Sequence, residues 1–179
     1  MGNVPKSRES IQNYRTPRPF WDWLNEMFAF TLDAAADEHN ALCPKYYTEA
    51  TNGLAQSWAG EVVWVNPPFK QIKKWLEKAE HAADFEDATV VMLLPAALET
   101  RWFRYYGTRG DIAILTPRLP YIHPDPAQRS KKKGPPLGSM LVVFRPGIIR
   151  AANDDFHATI LEIPEPVIKA CRAILKEAA

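Results

Sequence analysis

The length, composition and charge of the chain restrict the class of protein that it can form. With 179 residues, of which 46% are hydrophobic and 24% charged, it is long enough to bury a core, and a fibrous or wholly disordered chain is excluded. The formal net charge of +1 excludes a uniformly basic surface, so any preference for nucleic acid must come from local clusters of charge.

The N-terminal part of the chain predicts an arm, a helix and a short strand, in that order. Residues 1–15 lack apolar periodicity, which predicts a flexible arm followed by one domain over 16–179. Apolar residues recur at helical spacing over 18–27 and predict a short helix. Residues 28–33 are rich in aromatic and β-branched side chains and predict a buried strand that ends in a turn.

Predicted strands and helices alternate along the rest of the chain. The predicted strands are 45–48, 61–65, 89–94, 111–115, 140–144 and 158–163, and the predicted helices are 70–83, 99–106 and 166–178. This alternation is typical of an α/β domain with a mostly parallel sheet covered on both faces. It is interrupted at 117–139, a proline-rich stretch that predicts a long surface loop with a short strand at 119–122 near its start.

The motif Asn66-Pro67-Pro68-Phe69 follows the strongest predicted strand, at the carboxyl end where open α/β sheets bind ligands. The side-chain oxygen of Asn66 and the carbonyl of Pro67 can accept the two hydrogens of a planar amine, such as the 6-amino group of adenine, and can stabilise the charge that develops during attack. The prolines restrict the backbone, and Phe69 offers a face on which a flipped-out base can stack. Such a site needs an activated methyl donor, and a sulfonium fits. The alternative is that the motif is only a rigid turn.

The predicted loop at 117–139 carries a cluster of positive charge against a single acid, Asp125. Its basic residues are Arg118, Arg129, Lys131, Lys132 and Lys133. Clustered lysines and arginines neutralise phosphates, so we interpret the loop as a DNA-binding element in which the lysines contact the backbone and Arg118 can reach a base edge. The alternative is a solvated run of charge without a ligand.

Several motifs taken in order resemble the phage-type DNA N-6-adenine methyltransferase family, Dam-like enzymes of bacteriophages and prophages. The resemblance covers about residues 16–146 and rests on Thr16-Pro17, Phe30-Thr31-Leu32-Asp33-Ala34-Ala35-Ala36, Tyr46-Tyr47-Thr48, Gly53-Leu54, Trp58 and Asn66-Pro67-Pro68-Phe69. It implies a Rossmann-like methyltransferase fold, S-adenosylmethionine as the methyl donor and adenine of double-stranded DNA as the acceptor.

The resemblance also implies a donor site. Its residues would be Thr16, Pro17, Asp33, Ala34, Ala35, Asn52 and Leu54. Thr16-Pro17 would border the methionine end of the donor, and Asp33 would begin the turn on which the donor packs. Most related methyltransferases have glycines in that turn, where this chain has alanines, and usually carry an acid near the donor's adenine, where this chain has Asn52. From the residues alone, Asp33 could instead cap a helix and Thr16-Pro17 could be a simple turn.

Other functions fit parts of the same pattern. RNA adenine and protein glutamine also present a planar amine to an Asn-Pro-Pro motif, and the glycine-poor turn also fits a non-catalytic DNA-binding module whose donor site has decayed. We expect Trp58, Trp64, Trp75 and Trp102 in the core, and we assign no role to the four histidines.

Cysteine usage and hydropathy complete the expectations. Cys43 and Cys171 match no metal-ligand spacing, so we expect free thiols in a reducing compartment and no metal. No apolar run approaches the roughly 20 residues of a membrane helix. We therefore expect a cytoplasmic protein without membrane association, in a bacterial host cell if the gene is carried by a phage or prophage.

Overall fold

The computed structural model describes residues 14–123, 137–148 and 158–177, which build a seven-stranded sheet with helices on both faces. The strands are β1 (Leu32–Asp33), β2 (Lys45–Tyr46), β3 (Val62–Val65), β4 (Thr89–Pro95), β5 (Asp111–Thr116), β6 (Ser139–Phe144) and β7 (Ala158–Glu162). The helices are α1 (Arg18–Phe28), α2 (Ile72–Phe85), α3 (Arg101–Tyr105) and α4 (Glu165–Glu177).

The strand order is β2-β1-β3-β4-β6-β5-β7. β6 runs antiparallel to both of its neighbours, β4 and β5, and the other strand pairs are parallel. The connection after β1 leads to β2 at the edge of the sheet, whereas the connection after β3 leads to β4 on the opposite side. The neighbouring strands β1 and β3 are therefore followed by connections that run in opposite directions along the sheet. Such a switch point opens a crevice at the carboxyl ends of the strands. The predicted mostly parallel α/β sheet is confirmed.

The core lies in two layers, one on each face of the sheet. In the central strand β4, Val90, Met92 and Leu94 pack with α2 and α3, whereas Val91 and Leu93 pack with α1 and α4. This alternation follows from the two-residue period of a strand. A strand buried on both faces reads as a continuous apolar run in the sequence.

The N-terminal helix α1 begins one residue after Pro17. Pro17 occupies the N-cap position in an extended conformation, and Pro19 lies in the first turn, where a missing backbone N–H has no consequence. The side chains of Phe20 and Leu24, which belong to α1, are buried. The predicted helix at 18–27 is confirmed, and it is one residue longer.

The predicted strand at 28–33 is largely wrong. Phe28 is the last residue of α1, and Ala29 adopts a left-handed conformation (φ 55°) in which its N–H donates to the Asn25 carbonyl at 2.9 Å. Only Leu32–Asp33 pairs as a strand. The aromatic residues Phe28 and Phe30, which suggested a strand, lie outside β1. Their rings stack on each other with centroids 5.5 Å apart.

Residues 14 and 15, which the sequence assigned to the N-terminal arm, pack against the folded domain. Arg15 and Ile122 form an antiparallel bridge in which Arg15 N–H donates to the Ile122 carbonyl at 3.0 Å and Ile122 N–H donates to the Arg15 carbonyl at 3.1 Å. Tyr14 is buried beside Tyr121. Residues 1–13 lie outside the described part of the chain.

The predicted loop at 117–139 is only partly a surface segment. Leu119 and Tyr121 are buried, and the Tyr121 hydroxyl forms a 2.9 Å hydrogen bond with the Ser139 hydroxyl. The strand predicted at 119–122 is reduced to the single bridge at Ile122, and Ser139 already belongs to β6. Residues 124–136 lie outside the described ranges.

The two cysteines are free thiols, as expected. Burial raises the pKa of Cys43 to about 12 and that of Cys171 to about 11. Within the described ranges, no three His, Cys, Asp or Glu side chains converge to hold a metal ion. None of the helices formed by those residues has the length and apolar character needed to cross a bilayer.

Candidate active site

A cleft of about 950 Å³ opens at the carboxyl ends of β1 and β3. Its volume lies in the range of small-molecule and cofactor sites. Eight of the residues predicted from the sequence line it: Thr16, Asp33, Ala34, Ala35, Asn52, Leu54, Asn66 and Pro68. Pro17, Pro67 and Phe69 are their chain neighbours but are not among the lining residues. The fold therefore brings most of the predicted donor-site residues and the motif residue Asn66 to one cavity.

Asn66 is the first residue after β3, and its amide is held from one side. Its Nδ2 donates to the Tyr14 carbonyl at 2.9 Å and lies 3.2 Å from the Thr16 hydroxyl oxygen. A carbonyl oxygen accepts hydrogen bonds and cannot donate them, so the Tyr14 carbonyl fixes which end of the amide faces it. Oδ1 consequently points away from the Tyr14–Thr16 segment.

The two prolines lead from the strand into α2. Pro67 is buried, and Pro68 is extended (φ −62°, ψ 129°) and accepts at its carbonyl from the Gln71 N–H at 3.0 Å. A short 3₁₀ turn over Phe69–Gln71 then precedes α2. Phe69 is half-buried against the core on the α2 face of the sheet. Its predicted stacking on a base stays a prediction.

Asp33, the last residue of β1, uses both carboxylate oxygens within the protein. Oδ1 accepts from the Ala35 N–H at 3.4 Å, and Oδ2 accepts from the Leu42 N–H at 3.1 Å. No helix begins at Ala34, so the helix-cap alternative is wrong. Burial raises the pKa of Asp33 to about 6, although both backbone N–H groups act to lower it. The carboxyl group therefore fastens the loop of residues 34–42 that forms one wall of the cleft.

The alanine turn after β1 is closed by a glycine from a later segment. A Cβ built on Gly53 would lie 2.2 Å from the Ala34 carbonyl oxygen, so only glycine fits at this position. Asn52, just before it, has a left-handed backbone (φ 52°), which asparagine tolerates better than most residues. Gly53 therefore allows the segment between β2 and β3 to approach closely the turn that follows β1.

The cleft also contains residues that sequence reasoning missed. They are Tyr14, Arg15, Ala36, Asp37, Glu38, Asn40, Leu42, Thr48, Glu49, Ala50, Lys70 and Gln71. Arg15 lies 3.6 Å from Asp37 across the cleft. Glu49 follows β2 by three residues, and a signal for it existed: the predicted strand at 45–48 should end at the same edge of the sheet as β1 and β3.

The tryptophans belong to the core, as expected. Trp58 and Trp64 are fully buried, and Trp102 is partly buried against the same cluster as Trp58. Trp75 is buried and stacks on Trp58 with ring centroids 6.2 Å apart, and it also lines the cleft. The aromatic wall of the cleft is therefore an extension of the core.

The predicted DNA-binding residues are less constrained by the structure. Arg118 is exposed and lies two residues after β5, outside the lining of the cleft. The remaining four, Arg129, Lys131, Lys132 and Lys133, lie outside the described residues. Their role in binding DNA stays a prediction.

The sheet and its switch-point cleft define a Rossmann-like methyltransferase. The sequence model of a family described as DNA N-6-adenine-methyltransferase (Dam) matches residues 3–157. The chain belongs to this family and is an adenine-specific DNA methyltransferase, and the resemblance inferred from its motifs is confirmed.

Two curated phage proteins are similar to the chain. The first is a DNA N-6-adenine-methyltransferase of Haemophilus phage HP1, 28% identical over 167 residues that cover 91% of this chain and 94% of the relative. The second is a DNA N-6-adenine-methyltransferase of Escherichia phage T1, 38% identical over 107 residues that cover 56% of this chain and 42% of the relative.

Proposed function

We propose that the protein transfers the methyl group of S-adenosylmethionine to the 6-amino group of a flipped-out adenine in double-stranded DNA, within the cleft between the ends of β1 and β3. The observation that carries the proposal is the orientation of the Asn66 amide, whose Nδ2 is bonded to the Tyr14 carbonyl at 2.9 Å. This bond leaves Oδ1 as an acceptor held in place before the substrate arrives. A preorganised acceptor of this kind stabilises developing charge without reorganising.

The acceptor amine needs two hydrogen-bond acceptors, because its lone pair is delocalised into the purine ring. Asn66 Oδ1 would accept one amino hydrogen and the Pro67 carbonyl the other, which favours a tetrahedral nitrogen. When bound, S-adenosylmethionine supplies an electrophilic methyl group on a sulfonium that leaves as a neutral thioether. The nitrogen–carbon bond forms as the carbon–sulfur bond breaks, and the surplus amino proton passes to water. Both acceptors stabilise the positive charge on nitrogen during this step.

The charge of the cleft fits a cationic donor. Asp33, Asp37, Glu38 and Glu49 line it, against Arg15 and Lys70. Ala34 and Ala35 would pack against the donor, Pro17 would border its methionine end, and Asn52 and Leu54 would border its adenine. Glu49 would accept from the ribose hydroxyls, because it supplies the acid that the sequence lacks at Asn52. Asp33 would act mainly through its charge and through the loop that it fastens.

The duplex would lie across the mouth of the cleft, because a base stacked in DNA cannot reach Asn66. The enzyme would extrude the adenine, with Phe69 as the proposed stacking partner. Arg118, Arg129, Lys131, Lys132 and Lys133 would hold the flanking backbone, the lysines on phosphates. We infer that the reaction takes place in the cytoplasm of a bacterial host, because two similar proteins are encoded by bacteriophages.

The proposal is tested by methyl transfer from a labelled donor to unmethylated duplex DNA, followed by digestion to nucleosides. We expect label in N6-methyladenine with wild type and about a hundredfold less, or lower still, with Asn66→Ala. Parallel reactions with RNA and with a glutamine-containing peptide test the two other amine acceptors. Label in either one but not in DNA would overturn the choice of substrate.

A separate measurement tests the non-catalytic alternative. Calorimetric titration of the protein with S-adenosylmethionine should show saturable binding. A folded protein that binds duplex DNA but not the donor would instead be a DNA-binding module with a decayed donor site.

A further inference from the structure

We propose that Thr16 is a positioning residue for methyl transfer: its hydroxyl, together with the Tyr14 carbonyl, holds the Asn66 amide in the orientation that presents Oδ1 to the acceptor amine. This rests on the proposed function of Asn66. It differs from the role that the family resemblance implies for Thr16, which is to border the methionine end of the donor.

The geometry accounts for both hydrogens of the amide nitrogen. Nδ2 of Asn66 lies 2.9 Å from the Tyr14 carbonyl oxygen and 3.2 Å from Thr16 Oγ1, within hydrogen-bond range of each. A rotation of the amide by 180° would place Oδ1 against the Tyr14 carbonyl oxygen, where neither atom can donate. The Tyr14 carbonyl therefore selects one of the two orientations, and the Thr16 hydroxyl, which can donate or accept, adds a second hydrogen bond to the selected one.

Burial strengthens this selection. Thr16 is 8% exposed, and Asn66 is half-buried where both residues line the cleft. In this half-buried position, an amide hydrogen without an acceptor would be only partly solvated, and the hydrogen bond to Thr16 avoids that cost in free energy. With the Tyr14 carbonyl alone, one hydrogen bond would have to fix both the tilt and the twist of the amide. The second bond, from Asn66 Nδ2 to Thr16, restricts the remaining rotation.

The segment that carries the two acceptors is itself fixed on both sides. Arg15, between them, is bonded through its backbone N–H and carbonyl to Ile122 at 3.0 and 3.1 Å. On the other side, the Pro17 carbonyl accepts from the Phe20 N–H at 3.1 Å at the start of α1. The Tyr14 ring packs edge-on against Tyr121, with centroids 6.0 Å apart. The acceptors thus have a defined position relative to β3, which a mobile arm could not provide.

The proposal predicts an effect on the chemical step rather than on donor binding. Thr16→Val has nearly the same shape but cannot accept a hydrogen bond. At saturating donor and duplex DNA, we expect its single-turnover rate to fall about tenfold, which corresponds to ~1.4 kcal/mol in the barrier. Donor affinity by calorimetry and DNA affinity should stay within about twofold of wild type. Thr16→Ser, which keeps the hydroxyl, should restore most of the rate.

A double-mutant cycle separates action through Asn66 from direct action. In the Asn66→Ala background, where no amide remains to be oriented, Thr16→Val should cause no further loss of the residual rate in long incubations. A further tenfold loss there would overturn the proposal, and so would a wild-type rate in Thr16→Val alone. Weakened donor binding with an unchanged rate at saturation would assign Thr16 to the donor site instead.

The same variants distinguish failure of this inference from failure of the proposed function. If Asn66→Ala transfers methyl groups at the wild-type rate, the role of Asn66 is wrong and the positioning role of Thr16 is overturned with it. If Asn66→Ala is inactive and Thr16→Val is fully active, only the inference about Thr16 is wrong. Thermal unfolding of each variant identifies a folding defect, and Thr16→Ala, a smaller residue without a hydroxyl, replaces Thr16→Val if the valine does not fit.

Discussion

Asp33 and Asn66 both lie at the carboxyl ends of neighbouring parallel strands and use their side chains in opposite ways. Asp33 ends β1 and Asn66 directly follows β3, so both are polar residues at the carboxyl ends of adjacent parallel strands. Both oxygens of Asp33 accept from backbone N–H groups of its own loop. The side-chain hydrogen bonds between Asn66 and the Tyr14–Thr16 segment both involve Nδ2, which turns Oδ1 away from that segment.

Location at a strand end is therefore not enough to assign a side chain to ligand binding. The hydrogen bonds that the side chain makes within the protein determine which of its atoms can contact a ligand. Asp33 shapes the cleft by holding the loop that follows it in place. Asn66 is held through Nδ2, and we propose that its Oδ1 binds the acceptor amine. Substitutions at the two positions should consequently affect different steps, which gives a way to test the comparison.

The largest effect is expected for Asn66→Ala. Loss of the preorganised acceptor should reduce methyl transfer about a hundredfold or more, as for other single charge-stabilising groups. Donor binding should stay nearly intact, because Asn66 acts on the acceptor amine. The measurement is single-turnover transfer together with calorimetric titration of the donor. Near-normal turnover in a folded variant would contradict the assignment of Asn66.

The basic loop extends the comparison to the DNA. Replacement of Lys131, Lys132 and Lys133 by alanine should weaken duplex binding about tenfold or more for every sequence, because phosphate contacts are independent of base identity. The slope of log affinity against log salt should fall by roughly one unit for each lysine that neutralises a phosphate in the wild type. Donor affinity and sequence preference should survive.

A matched control for this loop exists on α4. Alanine at Lys169, Arg172 and Lys176 removes the same number of charges from an exposed face of that helix. This control should leave the salt slope close to that of wild type. Equal slopes for wild type and the loop variant would mean that the three lysines are only solvated.

A smaller effect, about tenfold, is expected on donor affinity in Asp33→Ala. The substitution leaves the part-buried N–H groups of Ala35 and Leu42 without their acceptor, at a cost of at most about 1–3 kcal/mol for each, and loosens the wall of the cleft. DNA affinity should change much less.

Glu86→Ala is a suitable control for Asp33→Ala. Glu86 also accepts from a backbone N–H, that of Trp58 at 2.6 Å, but does not line the cleft. It should lower stability and leave donor affinity unchanged. If Asp33→Ala binds the donor as tightly as wild type does, Asp33 has no part in the donor site.

The smallest effect concerns pH. Because burial raises the pKa of Asp33 to about 6, its carboxyl group is mostly protonated at pH 5 and mostly ionised at pH 7. A cationic donor favours the ionised form, so donor affinity should rise a few-fold as pH increases through about 6. Calorimetry between pH 5 and 7 measures this, and Asp33→Asn should give a flatter profile. A profile that is identical in wild type and Asp33→Asn would remove Asp33 from the explanation.

In the absence of the donor, the same carboxyl group changes stability with the opposite sign. Between its unfolded pKa of 3.8 and its folded pKa of about 6, the folded chain binds the proton and the unfolded chain does not. The contribution of Asp33 to the free energy of unfolding therefore falls as pH rises through this window, by about 3 kcal/mol in total. Denaturant unfolding of wild type and Asp33→Asn at several pH values isolates this contribution.

Local patterns in the sequence predicted much of the fold. The 3.6-residue spacing of apolar side chains located α1 and α2, and short apolar runs located β3, β4 and β6. The position of β6 between β4 and β5 could not be read in this way, because strand order depends on contacts between distant residues. The strand predicted at 28–33 was wrong for a related reason. The aromatic side chains of Phe28 and Phe30 pack in the core beside α1 and do not belong to a strand.

The candidate site was predicted where a motif carries the chemistry and missed where residues distant in the chain meet. Asn66 was found from its place after a strand. Thr16 was found from a resemblance, but its bond to Asn66 spans 50 residues and has no local signal. Tyr14 contributes a backbone carbonyl, which any residue type could supply, so the sequence holds no trace of its role.

The burial of the two native thiols has a practical consequence for labelling. Cys43 and Cys171 are the two cysteines of the chain, and burial raises their pKa values to about 12 and about 11. Alkylating reagents attack the exposed thiolate, so near neutral pH they should leave the folded protein almost unmodified. A cysteine introduced at the exposed Arg118 would then be the one site that takes a fluorophore, without removal of the native cysteines. A dye at that position could follow the arrival and departure of duplex DNA in real time.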